Sequence, residues 1–126
     1  MTNNTKSMQD FTKLKVWQKA HTFTINLYKI SSTFPSEEKF GLTNQIRRAS
    51  VSIESNLAEG AGRSSSKEFS RFLDIAQGSA FEVKCQILIA KDLSYIDNQK
   101  SELLMEKINE VSRMITLLNQ KLKTKD

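Results

Sequence analysis

Apolar side chains recur at spacings of three and four residues in four long stretches of the chain, which short polar breaks separate. This spacing places them on one face of an α-helix. The first predicted helix covers about 12–32 and the second about 36–59. Pro35 lies between them, where it disfavours a helical residue before it and can open the next helix. Glu37 and Glu38 suit the positive end of that second helix.

The third and fourth helices have clear start signals. Ser65 and Glu68 have the spacing of a capping box, which predicts a third helix over about 65–93. Asp97 or Asn98 can cap a fourth helix over about 98–122. Apolar residues in that last stretch follow a four-three alternation, which is typical of a helix packed in a bundle.

The connections between these helices are short, so consecutive helices are expected to be antiparallel neighbours. Gly60 and Gly62 follow the second helix and are expected to provide the permissive backbone of a turn. The sequence therefore predicts an all-α protein, an up-down-up-down antiparallel four-helix bundle. All 126 residues are assigned to one domain.

A second apolar stripe on the third helix does not fit a monomeric bundle. The main stripe runs through Phe72, Ala76, Ser79, Val83, Ile87 and Ala90, whereas Phe81, Cys85 and Leu88 lie on a different side. An exposed apolar patch usually marks an interface. We expect these three residues to form the contact between copies in a homo-oligomer; the alternative is one broad stripe that faces the core.

The composition favours a protein of the cytoplasm. Cys85 is the only cysteine, which excludes an internal disulfide and fits a reducing compartment. The first residues, MTNNTKSMQD, contain no apolar segment typical of a secretion signal. No apolar run approaches the length of a membrane span, so no membrane partner is expected.

The net charge of +5 and an isoelectric point near 9.4 permit an acidic partner such as RNA or DNA. The candidate phosphate contacts fall into two groups. They are Arg63, Lys67 and Arg71 near the glycine turn, and Lys13, Lys15 and Lys19 on the first helix. The alternative is that the first group consists of solvated charges, partly paired with Glu59 or Glu68.

Known reaction chemistries find little support in the sequence. The stretch GAGRSSSKEF lacks the preceding strand and the glycine spacing of a phosphate loop, so we interpret it as a helix connection. With His21 as the single histidine, a di-iron or zinc site lacks ligands, and we expect no metal and no cofactor. Cys85 is interpreted as a buried packing residue because its neighbours are apolar. We expect no enzymatic activity.

Adjacent arginines in the second helix point about 100° apart, so Arg47 or Arg48 is expected to face a neighbouring helix or subunit. A buried guanidinium needs acceptors for its donors. Glu82 on the third helix is the predicted partner, which would make a structural polar pair across the bundle.

Three segments resemble one bacterial protein family. They are LKVWQKAH, FPSEEKFGLTNQIRRASVSIESNLAEGAGRSSSKEFSRFLDIAQGSAFEV and LSYI. They are similar to the four-helix-bundle proteins encoded in intervening sequences of large-subunit ribosomal RNA genes. The resemblance implies a homo-oligomer, most often a pentamer. A related branch, the accessory protein of diversity-generating retroelements, is a basic pentamer that binds nucleic acid and a reverse transcriptase.

Two functional hypotheses remain. The first is a non-enzymatic, homo-oligomeric bundle that binds the backbone of RNA or DNA through basic surface repeated by symmetry. Clustered positive charge strengthens phosphate binding steeply. The second is a scaffold that presents a helix face to a partner protein.

Overall fold

The computed structural model describes residues 10–125 and contains α1 (Lys15–Ser31), α2 (Leu42–Ala61), α3 (Ser66–Asp92) and α4 (Asn98–Lys125). Two 3-10 turns, Phe11–Lys13 and Ser36–Glu38, precede α1 and α2. Residues 1–9 and 126 lie outside the described residues. The prediction that the chain has no secretion signal was made on residues 1–10, most of which are in that part. None of the four helices combines the length and the apolar character needed to cross a membrane.

Consecutive helices run in opposite directions. Thr24 on α1 contacts Ser50 on α2, with 2.7 Å between their hydroxyl oxygens, and Ser31, farther along α1, accepts from Arg47, which lies earlier on α2. The same opposed register joins α2 to α3, where Ser52 pairs with Ser79 and Gly60, later on α2, lies against Phe69, earlier on α3. It also joins α3 to α4, through the pairs Ser70–Asn119 and Gln77–Ser112. Because α1 also contacts α4, the four helices close into a bundle. The predicted all-α four-helix architecture is confirmed.

The core lies along the bundle axis and takes one apolar face from each helix. On α3, six residues with no exposed surface supply that face: Leu73, Ala76, Ala80, Val83, Ile87 and Ala90. Four of them belong to the predicted main stripe. Phe72 and Ser79, also predicted there, are half-buried at its edge. The small side chains of the alanines let neighbouring helices approach α3 closely.

The second helix begins later than predicted. Pro35 opens only a 3-10 turn, and α2 starts at Leu42. The Glu38 carboxylate accepts a hydrogen bond from the Leu42 backbone N–H (2.9 Å) and another from the Tyr95 hydroxyl (2.8 Å). Those two donors, the backbone one first, lower the pKa of Glu38. This carboxylate therefore caps α2 and ties its entry to the α3–α4 connection.

The predicted caps at Ser65 and Asp97 are present, but only half of the capping box forms, because the Glu68 carboxylate makes no described hydrogen bond with the Ser65 N–H. Ser65 Oγ accepts from the Glu68 backbone N–H at 3.1 Å, and Asp97 Oδ1 accepts from the Lys100 backbone N–H at 2.8 Å. The end of α3 has a feature that the sequence did not suggest, because Ser94 adopts a left-handed φ of 64°. The Tyr95 N–H then donates to the Ala90 carbonyl at 2.8 Å, which closes the helix.

The predicted role of the two glycines is wrong, since neither has a positive φ. Gly60 lies inside α2, and a Cβ there would come within 2.9 Å of both Phe69 and Phe72. Gly60 therefore provides room for α3 to pack closely against α2. A Cβ on Gly62 would make only ordinary contacts, the nearest at 3.6 Å from the Glu59 carbonyl oxygen.

Candidate nucleic-acid interface

Both predicted groups of basic residues lie at the same end of the bundle, because α1 and α3 begin where α2 and α4 end. We call this the basic end and define it by seven residues. They are Lys13, Lys15, Arg63, Lys67, Arg71, Lys121 and Lys123. The opposite end, where α1 and α3 finish and α2 and α4 start, is called the neutral end. Segments far apart in sequence thus place basic residues at one end of the bundle.

The formal charge differs between the two halves of the bundle. The half at the basic end, residues 10–22, 52–79 and 112–124, contains nine lysines and arginines against five aspartates and glutamates. The other half, residues 23–51 and 80–111, contains eight of each. The net charge of the described residues therefore resides in the half that carries the candidate phosphate contacts.

Arg63 is fixed by contacts within its own chain. Its guanidinium donates to Glu59 Oε2 at 2.8 Å and lies over the Phe72 ring, 4.8 Å from its centroid. Glu59 was one of the partners foreseen in the alternative interpretation of this cluster. Because the pair is exposed, water screens it and it contributes little to stability. Arg63 can still donate to a phosphate, but its charge is already partly balanced.

Lys67 and Arg71 are exposed and lie one turn apart on α3. Neither forms an ion pair with another residue that the structure describes. Ser65 occupies one free backbone N–H at this helix start, and the amides beside it add positive potential. Both side chains are therefore available to a ligand.

The predicted lysines of the first helix divide into two kinds. Lys19 forms an ion pair with Glu110 on α4, with 3.4 Å between Nζ and Oε2. Lys13 and Lys15 are exposed at the edge of a groove between the start of α1 and the last turns of α4. These two remain without a described ion pair at the same end of the bundle as Lys67 and Arg71, on the diagonally opposite helix.

The second stripe of α3 lies outside the core, as predicted from the spacing. Phe81 is 57% exposed, Leu88 is 50% exposed and Cys85 is exposed. The prediction of a buried cysteine is wrong, because the core face of α3 passes through Val83 and Ile87 and position 85 points away from it. Whether a second copy covers this stripe stays a prediction.

The predicted arginine–glutamate pair does not form in this chain. Arg47 turns towards α1, where its Nε donates to Ser31 Oγ at 2.8 Å and its Nη2 donates to the Tyr28 carbonyl at 3.0 Å. Its guanidinium also lies over the Tyr28 ring. Arg48 and Glu82 do line one polar cleft between α2 and α3, but they are not within ion-pair distance. The prediction was wrong for Arg47 because α1 offers it nearer acceptors.

A comparison with known families identifies the chain. The family described as 23S rRNA-intervening sequence protein matches residues 12–117. The chain belongs to this family. The resemblance noted in the sequence is therefore confirmed over most of the bundle.

A solved structure with a similar fold supports the architecture of this 23S rRNA-intervening sequence protein family member. It is a protein of unknown function from the S23 ribosomal protein family of Bacteroides thetaiotaomicron, with a TM-score of 0.78 and 23% identity. The alignment covers 83% of this chain and 95% of that one. No curated protein matches the chain. These comparisons establish family and fold, and they assign no ligand.

Sequence reasoning missed one contact pair in this family member. His21 Nδ1 lies 2.8 Å from Glu54 Oε2, and the Trp17 ring stacks on the imidazole with centroids 4.8 Å apart. The hairpin register of α1 and α2 brings positions 21 and 54 together, as it does positions 24 and 50. Glu54 Oε1 is buried without a described hydrogen-bond partner. The pair fixes α1 against α2.

Proposed function

We propose that this chain is a non-enzymatic, homo-oligomeric four-helix bundle that binds the phosphate backbone of RNA or DNA through its basic end. The observation that carries the proposal is the convergence of Lys13, Lys15, Lys67 and Arg71 on one end from two separate segments. Phosphate contacts need exposed cations on one surface and no particular base-reading motif. Binding of this type is expected to be strongly dependent on salt and weakly dependent on sequence.

Oligomerisation would multiply this charge, and the exposed stripe of α3 supports it. Gly78 lies on the same side of α3 as Phe81 and Cys85, and a Cβ added there would meet no atom within 4 Å. A glycine inside a helix costs about 1 kcal/mol relative to alanine. No contact among the described residues explains why this position is a glycine. A second copy that packed closely here would explain it, because it would need a position without a side chain.

The nucleic-acid proposal is tested by salt-titrated gel shifts with single-stranded and double-stranded RNA and DNA. The wild type is expected to bind at low salt, with log K falling linearly as log salt rises. Replacing Lys67 and Arg71 by glutamate should weaken binding by about tenfold or more and reduce the salt slope by about two, because each side chain is assigned a phosphate.

The matched control places the same charge change at the neutral end, by Lys91→Glu with Lys100→Glu. Both lysines are exposed, so the fold should tolerate their replacement. The control should change affinity by less than about threefold, because salt screens distant charges. Absence of wild-type binding to any of the four nucleic acids at low salt would overturn the proposal, and so would equal losses in the two double variants.

The oligomer is tested separately by light scattering and thermal unfolding of Gly78→Ala. The helix itself should gain up to about 1 kcal/mol from alanine. If a second copy approaches Gly78 closely, the same methyl group should weaken assembly. Stronger folding with weaker assembly is the expected combination. A monomeric mass for the wild type at micromolar concentration would contradict the oligomer.

A further inference from the structure

An apolar groove lies at the basic end, between the segment that enters α1 and the last turns of α4. Five apolar residues line it: Leu14, Val16, Met114, Leu117 and Leu118. Its volume is about 690 Å³, and it is open to solvent. Leu117 is 63% exposed, although α4 buries Ile115 and Val111 completely or nearly so. Residues 10–125 therefore leave this apolar surface without a partner.

The rim of the groove is positively charged. Lys13 and Lys15 stand on the α1 side and Lys121 stands on the α4 side, and none of the described residues that line the groove is an aspartate or glutamate. The remaining polar lining comes from Gln120 and Thr124, which are uncharged. An occupant that complements both features must be apolar along its centre and acidic along its flanks.

We propose that the groove docks an amphipathic α-helix with acidic flanks, supplied by a partner protein. Helices of this kind bury one apolar face in a groove and leave the opposite face in water. The open shape of this groove suits such an occupant better than a small amphiphile, which pockets usually enclose on most sides. Met114 can adapt its side chain to the apolar residues of the bound helix.

The dimensions set the length of the occupant. The lining of α4 runs from Met114 to Thr124, a span of eleven residues and ten steps of 1.5 Å, or about 15 Å. A bound helix of about ten to fifteen residues, with apolar side chains at i, i+3, i+4 and i+7, would cover this distance. Glutamates beside that stripe would then lie near Lys13, Lys15 and Lys121.

This inference does not depend on nucleic-acid binding, although Lys13 and Lys15 belong to both surfaces. Leu117, Met114 and Lys121 were not assigned a phosphate contact in the predicted set. Lys67 and Arg71 do not line the groove. Variants at Leu117 and at Lys67 with Arg71 therefore separate the two activities, and either proposal can fail while the other stands.

The experiment uses a designed, fluorescein-labelled peptide of 15 residues with leucines at the four apolar positions and glutamates on both flanks. Binding to the full-length protein is measured by fluorescence anisotropy. A second peptide carries lysines in place of the glutamates. A third peptide has the same amino-acid composition as the first in a scrambled order. The glutamate peptide is expected to bind at least about tenfold more tightly than either control, because it alone matches both the floor and the rim.

Two variants assign the peptide to the groove. Leu117→Asp should weaken binding by about tenfold or more, since it places a charge on the apolar floor. Leu103→Asp is the matched control, because Leu103 is a comparably exposed leucine (50%) at the opposite end of the same helix. Charge reversal at Lys13, Lys15 and Lys121 to glutamate should shift the preference towards the lysine peptide, which a purely structural defect would not do.

Four results would overturn the proposal. The first is equal binding of the scrambled peptide, and the second is equal effects of Leu117→Asp and Leu103→Asp. A loss of oligomer mass in Leu117→Asp, measured by light scattering, would assign the groove to a second copy of this chain. If the glutamate peptide bound only after removal of residues 1–9, the groove would be assigned to that segment of the chain.

Discussion

The two ends of the bundle differ in charge, because the half that contains the basic end carries nine lysines and arginines against five aspartates and glutamates, whereas the other half carries eight of each. At the neutral end, polar side chains are engaged with one another: Glu38 joins Leu42 and Tyr95, and Arg47 joins Ser31 and the Tyr28 carbonyl. At the basic end, Lys67 and Arg71 have no described ion pair. Exposed apolar side chains occur at both ends, Leu117 at the basic end and Phe40 at the neutral end.

This difference separates stability from binding. Hydrogen bonds that are satisfied within the chain stabilise the fold and leave little capacity for a ligand. Exposed cations and unpartnered apolar surface contribute little to folding and are available for association. We therefore expect substitutions of polar residues at the neutral end to change the free energy of unfolding. Substitutions of charged residues at the basic end should change binding.

The largest expected change in the free energy of unfolding is at Gly60. This residue lies at the basic end but is tightly packed, so it is an exception to the division between the two ends. Gly60→Ala should destabilise the protein by about 1–3 kcal/mol, because its methyl group would overlap Phe69 and Phe72. Gly62→Ala, two residues away, should change stability far less, since its Cβ meets only ordinary contacts. Chemical denaturation of both variants makes the measurement. Equal losses would show that the turn, and not close helix packing, requires the glycines.

A smaller effect compares one arginine from each end. Arg47→Met should cost about 1–2 kcal/mol, because it removes two charged hydrogen bonds and leaves Ser31 with one partner fewer. Arg71→Met should leave the free energy of unfolding nearly unchanged and weaken nucleic-acid binding. If Arg71→Met destabilised the fold as much as Arg47→Met does, the proposed division between the two ends would be lost.

A gain in stability is expected at the neutral end. Ser94 has a left-handed φ that glycine adopts without steric cost, so Ser94→Gly should stabilise the protein by about 0.5–1 kcal/mol. Thermal unfolding measures the change. Ser94→Ala serves as the control, because alanine keeps the Cβ and should give no gain. A loss of stability in Ser94→Gly would contradict the assigned backbone conformation.

The smallest effect is a pH dependence at the same end. The folded pKa of Glu38 is lowered, so its stabilising contribution is fully present above the usual glutamate pKa and is lost as pH falls through the lowered one. Glu38→Gln should therefore lower the midpoint of thermal unfolding at pH 7. Its deficit relative to the wild type should shrink as pH falls below the usual glutamate pKa and through the lowered one. A deficit independent of pH would exclude the charged carboxylate as the cause.

The sequence predicted the features that depend on local pattern. Four helices followed from apolar spacing, and the caps at Ser65 and Asp97 followed from residue type. The start of α2 was missed because the cap comes from Glu38, which reaches Leu42 from a preceding 3-10 turn. Ser94 gave no signal, since left-handed residues at helix ends are usually glycines.

The candidate site was predictable only in parts. Each basic group could be identified along the chain, but their meeting at one end depends on the directions of the helices. The partners of Arg47 and His21 depend on the register between α1 and α2, which one sequence does not specify. The groove at Leu117 was missed because α1 and α4 line it together, and one sequence does not specify how these two helix ends meet.

The most direct test of the central claim measures the protection of lysines at both ends of the same molecule. Lysine acetylation of the full-length protein, with and without bound single-stranded RNA, is quantified by mass spectrometry. We predict that RNA protects Lys13, Lys15 and Lys67 several-fold while Lys91 and Lys100 react at unchanged rates. Equal protection at the two ends, or protection confined to Lys91 and Lys100, would contradict the assignment of binding to the basic end.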